Sequence, residues 1–305
     1  MTKPLVSVII PAYRAAGTIG RAIESLLAQT RQPDEIVVVD DGSPDDIALA
    51  LEPFAENVRL ICTMNQGAAM ARNVGIEASR GDLLAFLDAD DYWEPRKLER
   101  QLQVMSDHPE VGLVASRFYS QPPGGDRVLR PAGHEQLYGR VLSARGCAVF
   151  DVMAEIWTTT VLVRRDVLGT NRFLAGFEPA EDRDLWIRLV DESPVYLDPE
   201  PAATWVLEPD SLSRGNIDRD CGNMLRVVRR HRALLDRAGL RSWESYVFRR
   251  WAAGHLGQGH PREAILPAWE RLRRQPSSLE AWWIAAKSLA TSMRPAQIIG
   301  LAAEG

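Results

Sequence analysis

Apolar and polar positions along this chain alternate between the period of a strand and that of a helix from the first residues onward. Residues 6–10, Val-Ser-Val-Ile-Ile, read as a strand, broken by Pro11, Ala12 and Tyr13. Ile19, Ala22, Ile23, Leu26 and Leu27 then recur at helical spacing, with Thr18 placed to cap. A second strand over 35–39 ends in Asp40, Asp41 and Gly42, and a helix with Ile47, Leu51 and Phe54 inward is expected to follow. Residues 58–62 give a third strand, and Asn65-Gln66-Gly67 turns the chain into a helix over 68–78. Residues 83–87, Leu-Leu-Ala-Phe-Leu, form an unbroken apolar run, the mark of a strand buried on both faces. Strands and helices in this order predict an α/β fold with a largely parallel sheet, which binds ligands beyond the carboxyl ends of its strands.

The pattern loosens downstream. Pro95 opens a helix with Leu98, Leu102 and Met105 on one face; strands are expected over 111–115 and 157–163, and a helix over 181–189. Residues 121–133 hold three Pro and three Gly, the composition of a mobile, substrate-facing loop. From Ile217 onward the reading is helical, over 224–235, 243–256, 262–274 and 279–290. Gly259, Ala264, Ala268, Leu272 and Pro276 resemble one tetratricopeptide helix pair, short of the roughly three repeats a solenoid needs, so a helical cap is expected instead. The chain therefore divides into an α/β region, 1–214, and a helical region, 215–305.

Composition adds limits. With 305 residues, 46% hydrophobic and 25% charged, the chain has ample material for a core. Three scattered cysteines argue against a disulfide framework and for a reducing compartment. No apolar run approaches the ~20 residues of a membrane span, and Met1-Thr2-Lys3-Pro4 leads into a strand rather than a signal peptide, so a cytoplasmic location is expected. The net charge of −5 conceals an asymmetry: 21 Lys plus Arg against 33 Asp plus Glu up to Arg214, then 15 against 8. The acidic part suits cations and sugar hydroxyls rather than nucleic acid. The basic helices suit an anionic partner or the inner face of a membrane, although a solvated helix face is the plainer account.

Candidate chemistry gathers where the apolar run stops. Asp88, Asp90 and Asp91 fall within four positions. In extended geometry Asp88 and Asp90 leave one side of the chain and could share a hard cation such as Mg²⁺ or Mn²⁺. Asp91 is expected to cap the helix opened by Pro95. The same Asp-x-Asp also resembles the nucleophile loop of haloacid-dehalogenase phosphatases, with Asp88 as nucleophile. No Gly-x-Gly-x-x-Gly follows the first strand, so a dinucleotide site is not expected. The acids of 40–46 lack the ligand order of a calcium loop, and His108 and His134 lack partners at metal-ligand spacing.

Four blocks in order resemble the family-two inverting glycosyltransferases: Val6 to Tyr13, Glu35 to Ser43, Asn65-Gln66-Gly67 with Ala71-Arg72-Asn73-Val74-Gly75, and Asp88-Ala89-Asp90-Asp91. The resemblance implies a GT-A fold, a Rossmann-like open mixed sheet flanked by helices, with a nucleotide-sugar half over 1–100 and an acceptor half over 101–214. It implies a nucleotide-diphosphate sugar donor, most simply a UDP-sugar, and Mn²⁺ or Mg²⁺. On the donor side it places Pro11, Tyr13 near the base, Asp41 as acceptor for a ring nitrogen, Asn65, Arg72 on the donor, Asp88 near the ribose and Ala89, with Asp90 on the metal. Glu181-Asp182 followed by Asp184-Leu185-Trp186-Ile187-Arg188-Leu189 is similar to the family's acceptor block, which implies Asp182 as catalytic base, Glu181 and Trp186 beside it, and Glu181 and Asp184 as alternatives. Glu208 stands where many relatives carry a metal-binding His, which leaves the metal set and activity open. The Gln-x-x-Arg-Trp block of processive members is missing at Arg250-Trp251, implying transfer of a single sugar to a glycan, lipid-linked glycan or protein hydroxyl. A non-catalytic sugar-nucleotide binder or assembly scaffold is the other reading.

Overall fold

The computed structural model describes residues 3–207 and 216–292, which fall into two compact units divided at Gly215 and Asn216. In the first unit the order is β1 (Val6–Ala12), α1 (Ile19–Leu27), β2 (Glu35–Asp40), α2 (Ile47–Leu51), β3 (Arg59–Cys62), α3 (Ala68–Ala78) and β4 (Leu83–Phe86). It continues through β5 (Tyr92–Trp93), α4 (Lys97–Asp107), β6 (Leu113–Gln121), β7 (Val128–Leu129), β8 (Val141–Leu142), α5 (Cys147–Ala154), β9 (Leu162–Arg164), α6 (Arg165–Leu168), α7 (Glu181–Glu192) and β10 (Val195–Val206). One mixed sheet runs β3-β2-β1-β4-β9-β6-β10-β5, with β7 on β6 and β8 on β10.

The first four strands are parallel, and β9 enters antiparallel between β4 and β6. Side-chain alternation explains why β2 is apolar throughout. Ile36 and Val38 face the core built with α1 and α2, whereas Val37 and Val39 meet Ala71 and Val74 of α3 on the other side. Gly75 allows that close packing: a Cβ there would lie 2.3 Å from Ile9 Cγ2.

Three departures from the sequence expectation shape the region beyond the end of β4. First, β4 ends at Phe86 and the chain turns at Ala89 and Asp90, so extended geometry does not carry from Asp88 to Asp90. Second, Asp91 does not cap a helix. Tyr92 and Trp93 pair antiparallel with β10, α4 starts only at Lys97, and Asp91 is drawn into the core. Third, residues 157–163 are not one strand: Thr158–Thr160 form a 3₁₀ turn before β9. The strand β10 is a finding rather than an expectation. Pro199 and Pro201 interrupt its pattern, and register shifts at Asp198/Pro201 and Pro201/Ala203 absorb them.

The second unit holds α8 (Ile217–Arg230), α9 (Arg237–Gly257), α10 (Ile265–Arg274) and α11 (Leu279–Ser292). Ala252, Ala268, Leu272, Ala281, Ile284 and Ala285 form its small core.

Candidate active site

At the carboxyl edge of β1 and β2, Asp41 is buried and both its oxygens are engaged. Oδ1 accepts the Gln66 amide at 2.9 Å and Oδ2 the Gly67 amide at 2.7 Å. Asp41 thereby fixes the turn that leads into α3, while each oxygen keeps further acceptor capacity. Gly42, at φ 68°, lies so close to this turn that a Cβ would meet the Asn65 nitrogen at 2.8 Å. Asn65 itself is exposed. Pro11 pairs with Val39 beyond the point where β4 leaves β1, and Tyr13 is exposed with the Arg14 guanidinium 5.3 Å from its ring centre.

Arg72, in the second turn of α3, is not the exposed helical arginine that its position suggests. It is 6% exposed and donates from Nη2 to Asp88 Oδ1 at 2.8 Å and from Nη1 to Glu181 Oε1 at 2.7 Å, with the Phe173 ring at 5.3 Å. Burial opposes its charge, but Asp88, Glu181 and Asp182 outweigh burial and hold the guanidinium firmly protonated. Its first task is therefore to order two carboxylates, one from each end of the motif set.

A second tether comes from the 3₁₀ turn. Thr158 Oγ1 donates to Asp182 Oδ2 at 2.9 Å, and Thr159 Oγ1 donates to Asp91 Oδ2 at 3.1 Å. Adjacent residues thus hold the acid of α7 and the last acid of the Asp88 turn. Trp186 Nε1, a donor only, points at Thr158 Oγ1 from 3.1 Å, which leaves the hydroxyl proton for Asp182. Trp186 is fully buried with Phe86 and Phe173, so it packs behind Thr158 and reaches the acids through that hydroxyl. The turn is supported from below by Trp93 Nε1 on the Thr159 carbonyl at 2.8 Å and Gln101 Nε2 on the Thr160 carbonyl at 2.7 Å. Lys97 donates to Gln101 at 2.8 Å, and burial pushes its amine well below the usual lysine range.

Sequence reasoning missed Thr158, Thr159 and Phe173. Three consecutive β-branched residues after Trp157 look like strand. Their hydroxyls signal otherwise only once the acids they serve are in place.

The acids crowd one another. Burial, then Asp90 and Asp88, raise the Asp91 carboxyl well above its usual range, although the Val206 amide and Thr159 pull the other way. The chemistry fits a divalent cation: Asp88 is partly open, Asp90 is half-buried with its carbonyl taking a hydrogen bond from Arg21, and their negative potential reaches Asp91. Among the described residues no three His, Cys, Asp or Glu converge into an all-protein cage, so an ion here needs oxygens from a ligand's phosphates or water, as Mg²⁺ and Mn²⁺ commonly take. Glu208 lies outside the described residues.

Burial and neighbouring Asp182 push Glu181 up to about 7 from 4.5, against the pull of Arg72. Between those values the folded chain holds more protons than the unfolded one, so the stability this group contributes is full below about pH 4.5 and is lost as pH rises through about 7. Thermal unfolding from pH 5 to 8 is expected to show a decline that Glu181→Gln flattens; identical pH slopes in the two proteins would acquit Glu181.

Residues 7–170 match the sequence profile described as glycosyl transferase family 2. The chain belongs to that family. It is 44% identical over 171 residues to the uncharacterized glycosyltransferase alr2836 of Nostoc, covering 53% of this chain and 52% of that protein. It is 31% identical over 191 residues to the Escherichia coli UDP-Glc:alpha-D-GlcNAc-diphosphoundecaprenol beta-1,3-glucosyltransferase WfaP, covering 62% and 71%. The chain thus spans about half of the Nostoc protein's length. Among solved structures, TarS 1-349 of S. aureus with UDP-GlcNAc superposes with a TM-score of 0.65 at 16% identity, over 94% of this chain and 89% of that one. A mannosyltransferase from Pyrobaculum calidifontis with GDP-Man and Mn²⁺ gives 0.60 at 19%, over 96% and 81%. The fold is GT-A, a mixed open sheet flanked by helices, and Asp88 belongs to a glycosyltransferase turn rather than to a phosphatase nucleophile loop.

Proposed function

We propose that this family-two glycosyltransferase moves one sugar from a nucleotide-diphosphate donor, a UDP-sugar, to a hydroxyl of a glycan, lipid-linked glycan or protein acceptor with inversion at the anomeric carbon. The observation that supports it is the double tether. Arg72 joins Asp88 to Glu181, and the Thr158-Thr159 pair joins Asp182 to Asp91, so the acids this reading assigns to donor and acceptor belong to one hydrogen-bonded set.

In this reading Tyr13 offers a face to the base, and Pro11, Asp41, Asn65 and Ala89 shape the nucleotide side. Asp90, with help from Asp88, would hold Mn²⁺ or Mg²⁺, which when bound would supply positive charge opposite the diphosphate leaving group. Asp182 takes the acceptor hydroxyl proton, the oxygen forms its bond to the anomeric carbon, and the bond from that carbon to the diphosphate oxygen breaks on the opposite face. Thr158 aims Asp182 through its hydroxyl.

The decisive experiment is a sugar-nucleotide screen by thermal shift with and without Mn²⁺, followed by NMR assignment of the linkage formed. A ligand at 100 times its Kd stabilises by about 2.7 kcal/mol. Asp90→Ala is expected to lose the Mn²⁺-dependent part of the nucleotide response. An unchanged metal and nucleotide titration would remove Asp90 from the metal set, and a retained anomeric configuration would exclude the single displacement.

A further inference from the structure

Among the described residues, the outer face of α11 has no polar covering. Ala281, Ile284, Ala285 and Ser288 turn inward, while Leu279, Trp282, Trp283 and Leu289 are 86, 55, 59 and 49% exposed. At helical spacing these four lie on one arc, and its border carries Glu280 and Lys287. Single exposed apolar residues are ordinary on a protein surface; a contiguous aromatic and aliphatic stripe on one helix is a contact surface.

What it contacts is indicated by charge. Between α9 and α11 lies a groove of about 490 Å³ lined by Tyr246, Arg249, Arg250, Trp283 and Lys287 among others. Arg249 is neutralised by Glu280 at 2.7 Å. Arg250 also feels the Asp220 carboxylate of α8, while Lys287 Nζ sits 4.8 Å from the Trp283 ring centre. Residues 216–305 as a whole carry 15 Lys plus Arg against 8 Asp plus Glu. A protein partner would favour an apolar patch depleted of lysine. Tryptophan and leucine bordered by basic side chains instead match a surface that is anionic outside and apolar a few ångströms in. Among the described residues no helix is long and apolar enough to cross a membrane, and a helix of 14 residues is suited to lying in the interface plane.

We propose that α11 docks on an anionic phospholipid surface, its tryptophans at headgroup depth and the groove at Arg250 and Lys287 receiving a lipid phosphate. This goes beyond the transferase reading and does not depend on it.

Flotation of the full chain with phosphatidylglycerol–phosphatidylcholine vesicles, and with phosphatidylcholine alone, tests it. Partitioning is expected to favour the anionic vesicles by at least about tenfold and to weaken with salt. Arg250→Gln with Lys287→Gln lowers it by about 25-fold, roughly fivefold per cation. Trp282→Ser with Trp283→Ser reduces it to the phosphatidylcholine level, while the nucleotide response in thermal shift is unchanged in both pairs. Equal partitioning to both vesicle types, or undiminished binding by both variants, overturns the proposal. A concentration-dependent dimer abolished by the tryptophan substitutions also overturns it, by assigning the stripe to a second copy of the chain.

Discussion

Asp182→Asn lowers turnover by about 10²–10⁴-fold and leaves nucleotide-sugar affinity within about twofold. The amide occupies the same volume at the start of α7 and its carbonyl oxygen can keep the bond from Thr158 Oγ1, giving up only the local bond from the Arg183 amide, so the fold and the donor side are retained. What it cannot do is receive a proton. Thr158→Val supplies the contrast, since it removes the hydroxyl that accepts from Trp186 and donates to Asp182 while keeping the β-branched shape. Its expected loss is smaller, on the order of tenfold, because the base keeps its carboxylate and loses only the hydrogen bond that aims it. Initial rates with saturating donor separate the two. Full activity of Asp182→Asn would transfer the base to another acid, with Asp184 already committed to Arg188 at 2.9 Å and Glu181 to Arg72 at 2.7 Å.

Arg72→Met destabilises the chain by about 3–5 kcal/mol, because it strands Glu181 in a buried site where Oε2 already lacks a hydrogen-bond partner. The expected fall in Tm is on the order of 10 °C. Glu181 responds by holding its proton more tightly, so the penalty is larger at pH 8 than at pH 6, which distinguishes a lost charge partner from lost packing against Phe173. Adding Glu181→Gln to Arg72→Met should recover part of the stability, and the resulting cycle measures the coupling. Equal losses at both pH values, with no recovery in the double variant, would mean that Arg72 contributes bulk alone.

Some of this was legible along the chain, and the boundary has physical causes. The helix over 68–78 was read to the residue because an Ala-rich run between Gly67 and Ser79 has one low-energy conformation. Strand β2 was read almost as well because four consecutive Val and Ile suit burial on both faces. Asp91 was misread as a cap because an acid ahead of proline carries a local meaning, and only the pairing of Tyr92 and Trp93 with β10 overrules it. Thr158–Thr160 were misread for the same reason in reverse: β propensity is local, while the carboxylates that capture the first two hydroxyls lie 24 and 68 residues away in sequence.

By itself the sequence determined the parallel α/β plan, the acids at the strand ends and the order of motifs, since periodicity and strand termination act over a few residues. Only the tertiary structure decided that Arg72 is buried between Asp88 and Glu181, that Trp186 works from behind Thr158, and that the acids of two distant motifs meet on one turn. Those are contacts between segments as much as 109 residues apart, and no local preference encodes which buried charge will find which partner.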